Sequence, residues 1–382
     1  PRPPQLHPNS HHVDGRDPGG AGFIGSHLAD MLLGQGHSVR VIDSLSPQVH
    51  GENQERPGYL HSDVELRQGD VRDPDALRRA LVGVDAVVHL AAAVGVGQSM
   101  YRIADYVSVN DLATAHLLQA LMERPVDRLV VASSMSIYGE GLARDRQSRL
   151  VEPEERPAEQ LRRSQWECLD SSGEPLEPLP TPESKRPSLN SIYALGKYAQ
   201  ERMCLIFGRH YDIPAVALRF FNVFGTRQAL SNPYTGVLAI FASRLLNERA
   251  PVVFEDGQQR RDFVHVRDVA RACVAALESP VAAGEAINVG SGGSRTIEEV
   301  ARSLARAVGK PHLQPQISGR SRAGDIRHCF ADLTRAKALL GFEPQEDFAA
   351  GLEELAEWLA GQIAVDRVEE ATAELQRWGL VA

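Results

Sequence analysis

Cysteine is scarce in this 382-residue chain. Cys168, Cys204, Cys273 and Cys329 are the only four, far apart and without the close spacing of a structural zinc site. No metal is therefore expected, and the four read as reduced thiols in a cytoplasmic protein. Long apolar runs are missing as well. No stretch approaches the ~18 residues that would cross a membrane, and the N-terminal residues lack the apolar segment of a signal peptide. Like charges are not gathered in blocks and the net charge is −9, so no affinity for nucleic acid is expected. No internal repeat is visible.

What is present is enough for a large core, with 43 % of residues hydrophobic. From residue 22 to 132 helical and strand patterns alternate. Strands are expected at 38–42, 64–66, 86–90 and 128–132, and helices around 23–34, 75–81 and 110–122. The alternation predicts an α/β fold, a doubly wound parallel sheet covered on both faces. Residues 143–187, rich in Pro, Glu, Arg and Ser, break the rhythm and read as a surface insertion of the kind that forms lids. The alternation resumes with a helix at 192–209 and a strand at 214–219. It continues with helices at 236–247, 266–277 and 296–308, the last opened by Thr296 and Glu299 as a capping box. Residues 365–378 have the spacing of an amphipathic helix and read as packing.

The densest signal is Gly19-Gly20-Ala21-Gly22-Phe23-Ile24-Gly25, which runs into a helical pattern. Glycines at that spacing let backbone approach a pyrophosphate, with a helix N-terminus facing the negative charge. Asp43 follows eighteen residues after Gly25 at the end of a strand, close to the spacing at which a carboxylate holds an adenosine ribose. The residues before the glycines do not fit. A buried apolar strand belongs there, but 6–18 are polar and broken by Pro8 and Pro18. The first strand is therefore expected to be missing or atypical, and residues 1–17 to be disordered or loosely packed.

A second pattern is Tyr193-Ala194-Leu195-Gly196-Lys197. Residues four apart on a helix share a face. A phenol titrates near 10 and is a poor base at neutrality; an adjacent ammonium stabilises its anion and lowers that value. Such a tyrosine can take a proton from an alcohol while hydride leaves the same carbon. Ser133-Ser134 ends a predicted strand, where ligands of open α/β sheets sit, and offers a hydroxyl to the reacting oxygen.

Together with Gly69-Asp70-Val71, His89-Leu90-Ala91-Ala92, the segment 218–225, Arg261-Asp262-Phe263-Val264-His265-Val266 and Arg322-Ala323-Gly324-Asp325, these residues resemble the extended short-chain dehydrogenase/reductase family. The resemblance is to its NAD-dependent nucleotide-sugar epimerase/dehydratase branch and runs from about 19 to 359. It implies a Rossmann-like NAD-binding domain over 19–225, carrying the 143–187 insertion. A smaller C-terminal α+β substrate lobe follows over 226–360, with 260–290 returning to the first domain, and a helical extension over 361–382. It further implies that Gly19, Gly22, Phe23, Ile24 and Gly25 cradle NAD. Asp43 would hold the adenosine ribose, Asp70 and Val71 flank the adenine, and Leu90, Ala91 and Ala92 line the cofactor. Tyr193 would be the catalytic base, Lys197 its electrostatic partner and a ribose ligand, and Ser134 the partner of the sugar hydroxyl. Asn222, Arg261 and Arg322 would bind the nucleotide-diphosphate sugar.

Dehydratases of the branch carry Asp-Glu directly after the catalytic hydroxyl residue; here Met135 and Ser136 stand there. Neither moves a proton at neutral pH, so dehydration is set aside in favour of 4-epimerisation through a transient 4-keto sugar. The 59-residue separation of Ser134 and Tyr193, with the segments 98–101 and 258–263, is similar to that of epimerases that interconvert dTDP-L-rhamnose and dTDP-6-deoxy-L-talose. A UDP-hexose or UDP-uronate 4-epimerase, and a catalytically impaired nucleotide-binding relative lacking its first strand, stay open as alternatives. The resemblance also implies a homodimer through helices matching 110–122 and 192–209.

Overall fold

The computed structural model describes residues 20–51, 54–234 and 236–381, and the backbone of 11–15. Its central sheet has seven strands, all parallel: β1 (His11–Gly15), β2 (Val39–Asp43), β3 (Glu65–Gln68), β4 (Ala86–His89), β5 (Arg128–Ser134), β6 (Ala215–Phe220) and β7 (Ala286–Val289). Their spatial order is β7-β6-β5-β4-β1-β2-β3. The winding direction reverses between β1 and β4, so the loops leaving these two strands diverge and open a crevice at the carboxyl edge of the sheet.

β1 corrects the sequence-based expectation of a missing first strand. His11–Gly15 pairs with β2 from His11↔Val39 to Gly15↔Asp43, and with β4 from His11↔Ala86 to Asp14↔His89. A ladder is built from main-chain groups, and Pro8 and Pro18 both fall outside the five paired residues. The strand is atypical in composition and central in position. Residues 1–10 and 16–19, Gly19 among them, lie outside the described residues.

Eight helices matter below: α1 (Phe23–Gly34), α2 (Ala113–Glu123), α3 (Ile192–His210), α4 (Val237–Leu246), α5 (Val266–Glu278), α6 (Ile297–Ala307), α7 (Phe348–Leu359) and α8 (Val368–Arg377). Alternate residues of β5 enter opposite cores, as the pleat requires. Val130 and Ala132 join Leu28 and Leu32 of α1 and Val269, Cys273 and Leu277 of α5. Leu129 and Val131 join Leu117 and Leu121 of α2 and Cys204 and Phe207 of α3. A third core gathers Phe241, Leu245, Val300, Leu304, Leu352 and Leu355 from α4, α6 and α7. The expected capping box opens α6: Thr296 Oγ1 accepts from Glu299 N (3.1 Å), and Glu299 Oε2 accepts from Thr296 N (2.8 Å). No helix among the described residues is long and apolar enough to cross a membrane.

The 143–187 insertion is fastened down by its own small sheet and by buried charges. Three short strands, Ala143–Arg144, Leu150–Val151 and Glu177–Pro178, form an antiparallel sheet. The buried Arg156 guanidinium donates to Glu140 Oε1 (3.2 Å), to both Glu255 oxygens (2.8 and 3.0 Å) and to the Trp166 and Asp325 carbonyls (2.8 and 3.1 Å). A polar segment is held here by paired charges instead of an apolar stripe, which is why no hydrophobic period marks it.

A second buried ion pair fixes α3 to the sheet. The Arg219 fork on β6 donates to Glu201 Oε1 (2.7 Å) and Oε2 (2.9 Å), and Ser133 Oγ donates to Oε2 as well (2.7 Å). Tyr138 Oη accepts from the same guanidinium (2.8 Å) and donates to Asn288 Oδ1 (2.7 Å). Removing one partner of such a pair strands a charge in the core. Arg219→Ala is expected to lower the unfolding free energy by about 3–5 kcal/mol, whereas Arg219→Met with Glu201→Leu costs much less. Denaturant titration of both variants measures this; equal losses would show that the pairing carries no weight.

Candidate active site

The structure brings Tyr193 and Ser134 together at the carboxyl edge of the sheet. Ser191 caps α3, its Oγ accepting from Ala194 N (3.0 Å), and this places Tyr193 in the first turn. Ser134 is the last residue of β5, beside β6 in the ladder. Burial raises the Tyr193 phenol above its ordinary value, and the neighbouring Ser134 hydroxyl opposes that. Ser134 Oγ also accepts from Ser136 N (3.1 Å) and Ser136 Oγ (2.9 Å). The positions after Ser134 thus supply a hydroxyl that braces it and no carboxylate.

Lys197 shares the helix with Tyr193, one turn on. Its ammonium donates to Gln200 Oε1 (2.8 Å). Burial pulls its pKa down to about 8, against the upward pull of Cys204, Glu201 and Asp111. Gln200 was not singled out from the sequence, yet it anchors a closed network. Its Nε2 donates to Thr114 Oγ1 (2.9 Å) and Ala91 O (3.1 Å) and meets His89 Nε2 (3.2 Å). Burial pushes His89 down to about 3, so the ring is neutral at physiological pH. Asn110 was missed too. It lies in a single π-turn, Val107–Leu112, whose extra residue no sequence period reveals. Asn110 Oδ1 accepts from Ala93 N (2.7 Å) and its Nδ2 donates to Ala93 O (3.2 Å), fixing the loop that follows Leu90, Ala91 and Ala92.

At the other side of the crevice, α1 begins at Gly22, whose extended backbone (φ −83°, ψ −163°) gives no side-chain cap. Its first N–H groups, with Phe23, Ile24 and Gly25, therefore need an external acceptor, as a pyrophosphate-binding turn does. Asp43 is 1 % exposed. Its Oδ2 accepts from Ala21 N (3.0 Å) and its Oδ1 from Leu45 N (2.8 Å), so it braces the glycine turn itself. Gly69 N donates to Asp43 O (2.9 Å), which brings Asp70 to the same edge. Asp70 pairs with Arg72 (2.9 Å). Val71 is buried in the core beside Ile42 and Ala76.

The third group of predicted residues surrounds Asp325. Arg322 binds it through two bonds (3.0 and 3.2 Å) and lies over the Phe254 ring (4.4 Å). Arg261 donates to the Arg260, Ile326 and Arg327 carbonyls and is pulled below its ordinary value by burial, which Asp325 opposes. Asn222 Oδ1 is buried with no hydrogen-bond partner among the described residues.

Residues 18–162 and 171–290 match the model of the NAD dependent epimerase/dehydratase family. A dTDP-L-rhamnose 4-epimerase of Burkholderia thailandensis is 36 % identical over 93 % of this chain and 98 % of its own. Two solved structures are similar. A UDP-glucose 4-epimerase of Thermotoga maritima with UDP-glucose has a TM-score of 0.74 at 28 % identity, covering 92 % of this chain and 99 % of its own. A UDP-glucuronic acid 4-epimerase of Bacillus cereus with UDP-glucuronic acid and NAD has a TM-score of 0.71 at 26 % identity, with the same coverage.

The buried Lys197 has a measurable signature. Between about 8 in the folded chain and about 10.4 in the unfolded one, the unfolded state holds the proton more tightly, so stability rises with pH across that window. The wild type is expected to gain stability relative to Lys197→Met from pH 8 to pH 10. Unfolding titrations at stepped pH read the difference; a flat one would mean the ammonium is not buried.

Proposed function

Because the chain belongs to the NAD dependent epimerase/dehydratase family, we propose that it is a nucleotide-sugar 4-epimerase and that dTDP-L-rhamnose is its substrate, giving dTDP-6-deoxy-L-talose. The observation that carries the reaction type is the placing of Tyr193, in the first turn of α3, and Ser134, the last residue of β5, at the same sheet edge, with Met135 and Ser136 where dehydration would need acids. The substrate assignment is supported by the 36 % identity to a dTDP-L-rhamnose 4-epimerase, against 32 % for a UDP-glucose 4-epimerase of Mycolicibacterium smegmatis.

In this reading Gly22 to Gly25 receive the pyrophosphate of NAD on the uncapped end of α1, with Asp43 holding the turn and its outer oxygen edge facing the ribose. Bound NAD supplies a hydride acceptor for C4 and later the donor to its opposite face, so no net oxidation occurs. Tyr193 removes the C4 hydroxyl proton and returns it after the keto sugar has turned over. Ser134 donates to the same oxygen and orients it. Lys197 keeps positive charge near the tyrosine while binding the nicotinamide ribose. Burial alone raises the phenol, so its activation depends on cationic charge arriving with the cofactor. Asn222, Arg261 and Arg322 hold the diphosphate, the guanidinium forks matching its oxygens. Residues 19–225 and 260–290 form the cofactor half, and the remainder of 226–360 forms the substrate half.

A homodimer through α2 and α3 belongs to the same proposal, since Met122, Leu195, Ile206 and Tyr211 are exposed apolar side chains on or beside those helices. So does a cytoplasmic setting, since all four cysteines are free and buried.

Incubation with dTDP-L-rhamnose and NAD, read by the C4 configuration of the sugar, tests the function. Inversion of dTDP-L-rhamnose with weak or no turnover of UDP-glucose and UDP-glucuronate is the expected result; the reverse preference would overturn the substrate. Tyr193→Phe is expected to lose about 10²–10⁴-fold in kcat while still binding nucleotide sugar. Undiminished turnover by that variant would overturn the mechanism.

A further inference from the structure

The proposed chemistry leaves α8 and the residues after it without a task. They pack onto two loops that border the site. Leu375 of α8 is buried, and its side chain sits against Gly97, where an added Cβ would come within 2.9 Å of Leu375 Cδ2. Trp378 stacks on Tyr101, with ring centroids 6.2 Å apart and planes 9° from parallel. The Tyr101 phenol in turn pairs with that of Tyr234 (2.7 Å). Beyond the helix, Leu380 O accepts from Ala323 N (2.9 Å), and Val381 pairs antiparallel with Arg322.

Both loops lead straight to the reacting groups. In the first, Ser99 Oγ accepts from Tyr193 N (3.1 Å), so the loop carrying Gly97 and Tyr101 also ties the start of α3. The second carries Arg322 and Asp325. The two meet at Gly324, where an added Cβ would lie 2.9 Å from Asn190 O and 3.6 Å from Val96 Cγ1. The base of α8 is anchored from behind, Asp366 pairing with Arg244 (3.4 Å) and Arg249 (3.2 Å). Trp378 remains 54 % exposed. Its stacking therefore buries little area and aligns a loop more than it builds a core.

We propose that residues 368–381 act as a strap that sets the relative position of the 96–101 and 322–325 loops, with Leu375 and Trp378 as positioning residues for the nucleotide sugar. The proposal rests on the assignment of Arg322 to the substrate diphosphate. Catalysis is sensitive to small misplacements of binding groups, so a strap of this kind acts on substrate affinity first.

The test compares the full chain with a chain ending at Arg367 and with Trp378→Ala and Trp378→Phe. Calorimetric titration with dTDP and UDP, titration with NAD, and steady-state kinetics are the readouts. Truncation is expected to weaken nucleotide-diphosphate binding and raise KM by about tenfold or more, with a smaller effect on kcat. NAD affinity, which the strap does not touch, stays unchanged and reports that the truncated chain is folded. Trp378→Ala shows part of the loss and Trp378→Phe, which keeps a stacking ring, restores it. Equal nucleotide affinity in the full and truncated chains overturns the strap and leaves the functional reading standing. A full chain that binds neither dTDP nor UDP overturns that reading, and the strap with it.

Discussion

Glu201 has no exposed surface and still carries a carboxylate that meets the Arg219 fork and the Ser133 hydroxyl. That contact joins α3 to the ends of β5 and β6 by directional bonds. Apolar packing of Cys204 and Phe207 holds the helix against the sheet but leaves rotation and sliding comparatively soft. The charged pair removes that freedom. Tyr193, two turns before Glu201, and Ser134, next to Ser133, are thereby brought into register. The desolvation of both charges is a cost that only good geometry offsets, and the structure supplies that geometry through several satisfied bonds.

The electrostatics of the site point the same way. Burial raises Tyr193 and lowers Lys197, so each group is pushed towards its neutral form. His89 is neutral for the same reason. At about 8 the Lys197 ammonium still holds its proton at neutral pH, so the site keeps one positive charge beside two neutral groups. Arg261 and Arg322 are gathered around Asp325, whose carboxyl their charges hold below its ordinary range against burial.

Several elements were legible because they are periodic or chemically specific. The buried strands β4, β5 and β6 show as continuous apolar runs, α6 shows by its capping box, and the Tyr193–Lys197 pair by its spacing. Other elements were not. β1 lacks the side-chain pattern of a central strand, while its pairing uses only main-chain groups that every residue possesses. The anchoring of the insertion was not legible because it is made by Arg156 reaching Glu140 and Glu255, partners sixteen and ninety-nine residues away. Gln200, Asn110 and Thr114 carry no motif of their own; they matter because folding places them around Lys197 and the loop after β4.

The order of residues alone determined the parallel α/β class, the glycine turn facing a helix N-terminus, and which side chains could move a proton or grip a phosphate. Those depend on short-range spacing and on intrinsic chemistry, both written into neighbouring positions. Tertiary structure alone decided that Lys197 points to Gln200, that Asp43 braces the turn it follows, and that the last residues of the chain lie on Arg322. Each of those is a meeting of groups distant in sequence or a choice among side-chain directions, and only the packed molecule selects one.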